Sequence, residues 1–137
     1  MEWLAGVGLE RHLCKGPLTH AEAIALGTNL ARALGAAHEA GIVHRDVKPS
    51  NIVLRRGDPR DAVLVDFGIA RSGRATHVLT ATGAVIGTPA YMAPEQARGE
   101  RDVDGRADVF SLACVLFECL TGRAPFTREV RSEQVSI

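Results

Sequence analysis

His44-Arg45-Asp46-Val47-Lys48-Pro49-Ser50-Asn51 is a dense polar block set between apolar runs. Its reading decides the fold. Ile42-Val43 leads into it and Ile52-Val53-Leu54 leads out. A second apolar run, Ala62-Val63-Leu64-Val65, precedes Asp66-Phe67-Gly68. Between the two runs lies Arg55-Arg56-Gly57-Asp58-Pro59-Arg60-Asp61, rich in turn formers. The pattern predicts a small β-hairpin with a long polar turn. Such a hairpin would bring Asn51 and Asp66, at its two ends, to one place.

On the amino-terminal side the spacing predicts a helix over 17–41. Pro17 precedes it, and Thr19 with Glu22 has the T-x-x-E pattern of a capping box. Leu26, Leu30, Leu34 and Ala37 recur at helical spacing, and Gly41 stands where a left-handed cap belongs. Gly27 and Gly35 inside this helix each cost about 1 kcal/mol relative to Ala, which packing must offset. On the carboxyl side, residues 69–90 have no period and read as an extended loop, long enough to suggest function. Residues 107–121, with Val109, Phe110, Leu112, Ala113, Val115, Leu116 and Phe117, are apolar on nearly every side. A helix of that kind belongs in a core, and Gly122 is expected to end it. Residues 127–137 are a polar tail without a motif.

Composition bounds the function. Sixteen Lys plus Arg balance 16 Asp plus Glu, which argues against a strongly basic nucleic-acid binder or a polybasic membrane binder. A hydrophobic fraction of 46% with 23% charged residues is globular rather than disordered. No apolar run reaches membrane-spanning length, and Met1-Glu2-Trp3-Leu4 lacks the features of a secretory signal. The three cysteines, Cys14, Cys114 and Cys119, form no C-x-x-C pair, so neither a disulfide framework nor a zinc site is expected. Cys114 and Cys119 read as small core hydrophobes, and a reducing, cytoplasmic setting is the expectation.

Taken singly, Asp46 reads as a turn or cap residue, Asp66 as the start of an Asx turn, and Lys48 as a solvated charge. Jointly they read otherwise. His44-Arg45-Asp46-Val47-x-x-x-Asn51, Asp66-Phe67-Gly68 and Ala93-Pro94-Glu95 occur in the order of the protein-kinase signature, with Val47 in place of Leu. The sequence resembles the eukaryotic-type serine/threonine protein kinase family, and the stretch from Gly87 to Gln96 resembles its bacterial members. The resemblance implies an α+β, mainly α, protein-kinase-like fold. Residues 1–126 would be a partial large lobe with a small β-hairpin at the active site.

The implied chemistry is transfer of the ATP γ-phosphate to protein Ser or Thr hydroxyls, with Mg²⁺ as cofactor. Such transfer needs positioning and charge neutralisation more than covalent help. By resemblance Asp46 receives or orients the hydroxyl proton, and Lys48 pairs with the transferring phosphate. Asn51 and Asp66 supply the oxygen ligands that suit Mg²⁺. The backbone of Glu2 and Leu4, in a hinge formed by residues 1–4, would bond adenine, with Val53 beneath the ring. His44 is read as a structural packing residue rather than a base. Phe67, Gly68 and Glu95 are read as support, and Asp108 as the anchor of the catalytic loop from the core helix. Arg45 suggests control by phosphorylation, since a guanidinium can hold a phosphate. Thr80 and Thr82 are the candidate autophosphorylation sites. Thr88 resembles the threonine that bonds the catalytic Asp and Lys.

The resemblance covers about half of a kinase domain. The G-x-G-x-x-G loop, strand Lys and helix Glu of the family have no counterparts here, and Gly6-x-Gly8 is too short to stand in for the first. Leu4, Val53 and Phe67 are therefore expected to face water as an apolar patch. A truncated or partial chain is expected, weakly active or inactive alone. A non-catalytic kinase-like fragment that binds a partner, or is a remnant, is the second reading. A small-molecule phosphotransferase is the third, and Lys48 with the Gly87–Glu95 segment argues against it.

Overall fold

The computed structural model describes residues 5–67 and 89–126. The hinge residues Glu2 and Leu4, together with Gly68, Thr80, Thr82, Thr88 and the 127–137 tail, lie outside the described residues.

The helix after Pro17 forms as its sequence requires. We label it α2, His20–Glu39, because a short helix α1, Leu9–Leu13, precedes it. Thr19 Oγ1 accepts from the Glu22 N–H at 3.2 Å, and the Glu22 carboxylate accepts from the Thr19 N–H at 2.9 Å. This is the reciprocal capping box, and it starts the helix at residue 20. The Thr19 N–H, then the Thr19 hydroxyl, which donates to the same carboxylate at 2.9 Å, hold the Glu22 carboxyl below its ordinary value. At the other end Gly41, at φ +76°, donates to the His38 carbonyl at 2.9 Å, while Ile42 donates to the Ala37 carbonyl at 2.8 Å. That pair of bonds is a Schellman motif. Leu26, Leu30 and Leu34 form the buried stripe, and Ala37 is half-buried.

The hairpin appears as β2, Ile52–Arg55, and β3, Ala62–Leu64, antiparallel with Ile52 opposite Leu64 and Leu54 opposite Ala62. Its turn contains a 3-10 turn at Pro59–Asp61, capped by Asp58. Asn29 on α2 donates to the carbonyls of Arg60 and Ala62, fixing the hairpin on the helix. A strand not expected from the sequence, β1 at Gly6–Gly8, pairs with β2 and makes the sheet three-stranded. Gly-Val-Gly carries almost no strand propensity. The pairing brings the backbones so close that a Cβ on Gly6 would sit 2.6 Å from the Leu54 carbonyl oxygen.

The core helix, α4, runs Gly105–Thr121, from an Asp104 N-cap to Gly122 at φ +75°. It crosses α2 where Gly27 admits Leu116: a Cβ on Gly27 would lie 3.0 Å from the Leu116 side chain. Among the described residues nothing explains Gly35. Leu9, Leu26, Leu30, Ile52, Leu54, Val115 and Cys119 make the central core between α2, α4 and the sheet. Two expectations need correction. Helix α4 is not enclosed on all sides: the described residues cover its faces toward α2, the His44–Arg45 loop and the Pro89–Tyr91 turn, while Val109, Phe117 and Leu120 are exposed. Val53 and Phe67 do not stand open to water. Both are half-buried, and Phe67 packs on the core with its ring edge-on to His44.

Among the described residues no helix is long and apolar enough to cross a membrane. All three cysteines are free, with Cys14 exposed and Cys114 and Cys119 buried.

The cap and the core can each be tested. Thr19→Ala should lower stability by about 1 kcal/mol, read by urea denaturation. Burial, then the Glu118 charge, pushes the Cys119 thiol up to about 12. A raised native value makes its contribution complete below the ordinary thiol value and progressively lost as pH rises toward 12. At pH about 8 a thiol reagent should therefore label Cys14 at once, but Cys114 and Cys119 only after denaturant is added.

Candidate active site

The segment between α2 and β2 has no regular structure until a 3-10 turn at Pro49–Asn51. Its backbone is held mainly by side chains from elsewhere. Asp108, on the first turn of α4, is fully buried. Its Oδ2 accepts from the His44 N–H at 2.9 Å and its Oδ1 from the Arg45 N–H at 2.8 Å. His38, in the last turn of α2, brings Nε2 to 2.7 Å from the same Oδ2. The His38 ring fits because residue 105 is glycine: a Cβ there would lie 2.6 Å from His38 Nδ1. A buried carboxylate needs such donors to offset lost hydration.

His44 is fully buried and bonded at both ring nitrogens. Nε2 lies 2.9 Å from the Val65 carbonyl, and Nδ1 accepts from the Asp46 N–H at 3.2 Å. A carbonyl can only accept and an N–H can only donate, so the network assigns the neutral tautomer with its proton on Nε2. Both ring nitrogens are engaged in these bonds.

Arg45 has φ +65°, in the left-handed region. For a non-glycine residue this costs about 1–2 kcal/mol. Its N–H is held by Asp108 and its carbonyl accepts from Gln96 Nε2 at 2.9 Å. The exposed guanidinium reaches the Val103 carbonyl at 3.4 Å.

Three of the four predicted catalytic and metal-binding side chains are in contact. Lys48 Nζ lies 3.2 Å from Asp46 Oδ2. Asn51 Nδ2 donates to the Asp46 carbonyl at 2.8 Å and to Asp46 Oδ2 at 3.1 Å. These two acceptors fix the orientation of the amide, and Asn51 Oδ1 has no hydrogen-bond partner among the described residues. Asp66 joins the group through the backbone: the Val65 N–H bonds the Asn51 carbonyl at 2.9 Å, and the chain then turns at Asp66 with φ +56°. Its carboxylate makes no hydrogen bond to the other three among the described residues.

The Ala93-Pro94-Glu95 segment packs on the other side. A 3-10 turn at Pro89–Tyr91 leads into a short helix, α3, at Pro94–Ala97. Ser111 of α4 donates to the Tyr91 carbonyl at 2.6 Å, and the Tyr91 hydroxyl bonds Glu118. Burial, then that carboxylate, holds the Tyr91 phenol above its ordinary value. A cavity of about 30 Å³ remains between this segment and Asp46, Lys48 and Arg45. Glu95 is half-buried and has no ion-pair partner among the described residues.

Sequence reasoning did not single out His38, Ser111, Tyr91 or Glu118, and it used Gln96 only as a mark of likeness. Asp108 and Ser111, polar positions on the same face of an apolar helix, were the available signal.

This site stands on a fold that the comparisons with known proteins define. The protein kinase domain profile matches residues 1–137. The chain belongs to the protein kinase family. Its relatives include serine/threonine-protein kinase PknB of Mycobacterium tuberculosis, 48% identical over 130 residues, covering 93% of this chain and 20% of PknB. PknH of Mycobacterium bovis is 47% identical over 137 residues, covering 99% of this chain and 22% of PknH. Among solved structures, a point mutant of the Mycobacterium tuberculosis PknI kinase domain superimposes with a TM-score of 0.71 at 32% identity, covering 96% of this chain and 46% of that one. Rad53 1-466 in complex with AMP-PNP superimposes with a TM-score of 0.69 at 26% identity, covering 96% of this chain and 31% of that one. The chain thus spans about a fifth of the length of the PknB and PknH relatives.

The carboxylate of Asp108 gives the test of this architecture. His38→Ala removes one of its three donors, and stability should fall by about 1–3 kcal/mol. Urea unfolding reads the change, and a wild-type midpoint would count against the network.

Proposed function

We propose that this chain forms the catalytic floor of a serine/threonine protein kinase. The observation that carries the reading is the cluster of Lys48 and Asn51 on the Asp46 carboxylate. Positioning dominates phosphoryl transfer, and these contacts pre-set one acidic oxygen before any substrate arrives. Asp46 takes the proton of a Ser or Thr hydroxyl as that oxygen bonds to the γ-phosphorus. The bond from the γ-phosphorus to the bridging oxygen breaks, and ADP leaves. Lys48 offsets negative charge on the transferring group. The substrate hydroxyl enters beside Asp46, on the side bounded by Tyr91 and Met92. AMP-PNP in the Rad53 structure is consistent with a nucleotide on this fold.

The donor set fits Mg²⁺. Among the described residues no group of three or more His, Cys, Asp or Glu side chains is gathered for a metal. Mg²⁺ takes one or two protein carboxylates together with substrate phosphates rather than a full protein cage. Asn51 Oδ1 and the Asp66 carboxylate would hold it. Bound Mg²⁺ would neutralise charge on the phosphate oxygens.

Residues 1–126 are the partial domain in this reading, and the backbone of Glu2 and Leu4 with Val53 would take the adenine. Thr80 and Thr82 are the proposed phosphoacceptors of the segment that the Arg45 guanidinium would hold, and Thr88 its link to Asp46 and Lys48. The three free thiols fit a reducing, cytoplasmic setting. Exposed Ile24, Val109, Phe117 and Leu120 favour the second reading, a kinase-like fragment that binds a partner without catalysis.

Labelled ATP with Mg²⁺ and a basic protein substrate separates the two. Transfer by the wild-type chain alone should be weak, and Asp66→Asn should reduce it at least about a hundredfold. Absence of both transfer and nucleotide binding in the wild type would favour the second reading.

A further inference from the structure

We propose that Gln96 is a positioning residue that couples the Ala93-Pro94-Glu95 segment to Asp46 through the peptide bond between Arg45 and Asp46. The inference rests on the kinase reading for its catalytic consequence, but its geometry stands apart from it.

That peptide is gripped at both polar atoms. Its oxygen, the Arg45 carbonyl, accepts from Gln96 Nε2 at 2.9 Å. Its N–H, belonging to Asp46, donates to His44 Nδ1 at 3.2 Å. Arg45 itself is in the left-handed region at φ +65°. A residue in that region persists only where its surroundings hold it. Asp108 holds the N–H side of Arg45 and Gln96 holds the carbonyl side. The plane so fixed sets the Cα of Asp46, and with it the carboxylate that meets Lys48 and Asn51.

The other end of the Gln96 amide points to its own segment. Oε1 accepts from the Ala93 N–H at 3.4 Å, the long member of the pair. One side chain therefore spans from the start of α3 to the loop that carries Asp46. Glutamine suits the task because it both donates and accepts. Glutamate would keep the acceptor for Ala93 but set a carboxylate oxygen against the Arg45 carbonyl. Methionine would lose both bonds. Gln96 is only half-buried, so water can replace part of its bonding, and the change should fall on geometry more than on stability.

The test uses the isotope-labelled chain, compared by NMR as wild type, Gln96→Glu and Gln96→Met, with Arg98→Ala as control. Arg98 is on the same segment, and among the described residues its side chain pairs with Glu100 on an exposed surface. Both Gln96 variants should shift the Asp46 amide and side-chain carboxyl carbon, leave the Leu26 and Leu30 amides in place, and scarcely change the melting temperature. Arg98→Ala should leave the Asp46 signals unmoved. In the transfer assay, Gln96→Glu should lower kcat about five- to tenfold, with KM for ATP unchanged. Unmoved Asp46 signals in Gln96→Glu overturn the proposal. So do shifts spread through α2 in both variants, which would make Gln96 a fold residue, or a changed KM with wild-type kcat. If the wild-type chain neither transfers phosphate nor binds nucleotide, the kinase reading fails for this chain, while the Asp46 signals, which need no nucleotide, still decide the coupling.

Discussion

Asp108 has no exposure to water, yet it carries a carboxylate that accepts from the main-chain N–H groups of His44 and Arg45 and contacts His38 Nε2. A carboxylate in that position is tolerated only while each donor stays in place. The loop in turn depends on the carboxylate, because Arg45 is in a backbone region that an L-residue otherwise avoids. Neither element is stable alone in the form seen here. The core helix and the polar loop therefore form one unit, with Gly105 leaving the space in which His38 completes it.

The contacts of Asp46 follow from this support. Asp46 itself is largely exposed, and its side-chain partners are Lys48 and Asn51. Its main chain is more tightly determined, by His44 below and by Gln96 through the preceding carbonyl. For the proposed phosphoryl transfer, an exposed side chain on a backbone held by buried groups would supply placement in advance of reaction. The segment that begins at Pro89 joins the same support through Ser111 and through the Tyr91–Glu118 hydrogen bond.

Some of the fold was legible from local chemistry. Thr19 and Glu22 start α2 because their side chains satisfy the first free N–H groups, a local event. The apolar stripe of Leu26, Leu30 and Leu34 and the caps at Gly41 and Gly122 are local as well. Strand β1 was not legible, since Gly-Val-Gly gains its pairing from β2 far along the chain. The apolar circumference of α4 suggested full burial, but how much of a helix is covered depends on what packs against it, and among the described residues Val109, Phe117 and Leu120 stay exposed.

The candidate site divides in the same way. Sequence by itself singled out Asp46, Lys48, Asn51 and Asp66 as the proposed reactive set, because they are chemical types in a fixed order, and order survives without coordinates. It also marked Asp108 as an anchor and His44 as a packing residue. Only the tertiary structure decided that His38 and Gln96 belong to the same unit and which tautomer His44 adopts. It also decided that Arg45 takes a left-handed turn. The His38, Gln96 and Arg45 contacts rest on hydrogen bonds between groups distant in the chain, chosen by how α2, α3 and α4 pack, and the His44 tautomer needs the Val65 carbonyl beyond the hairpin.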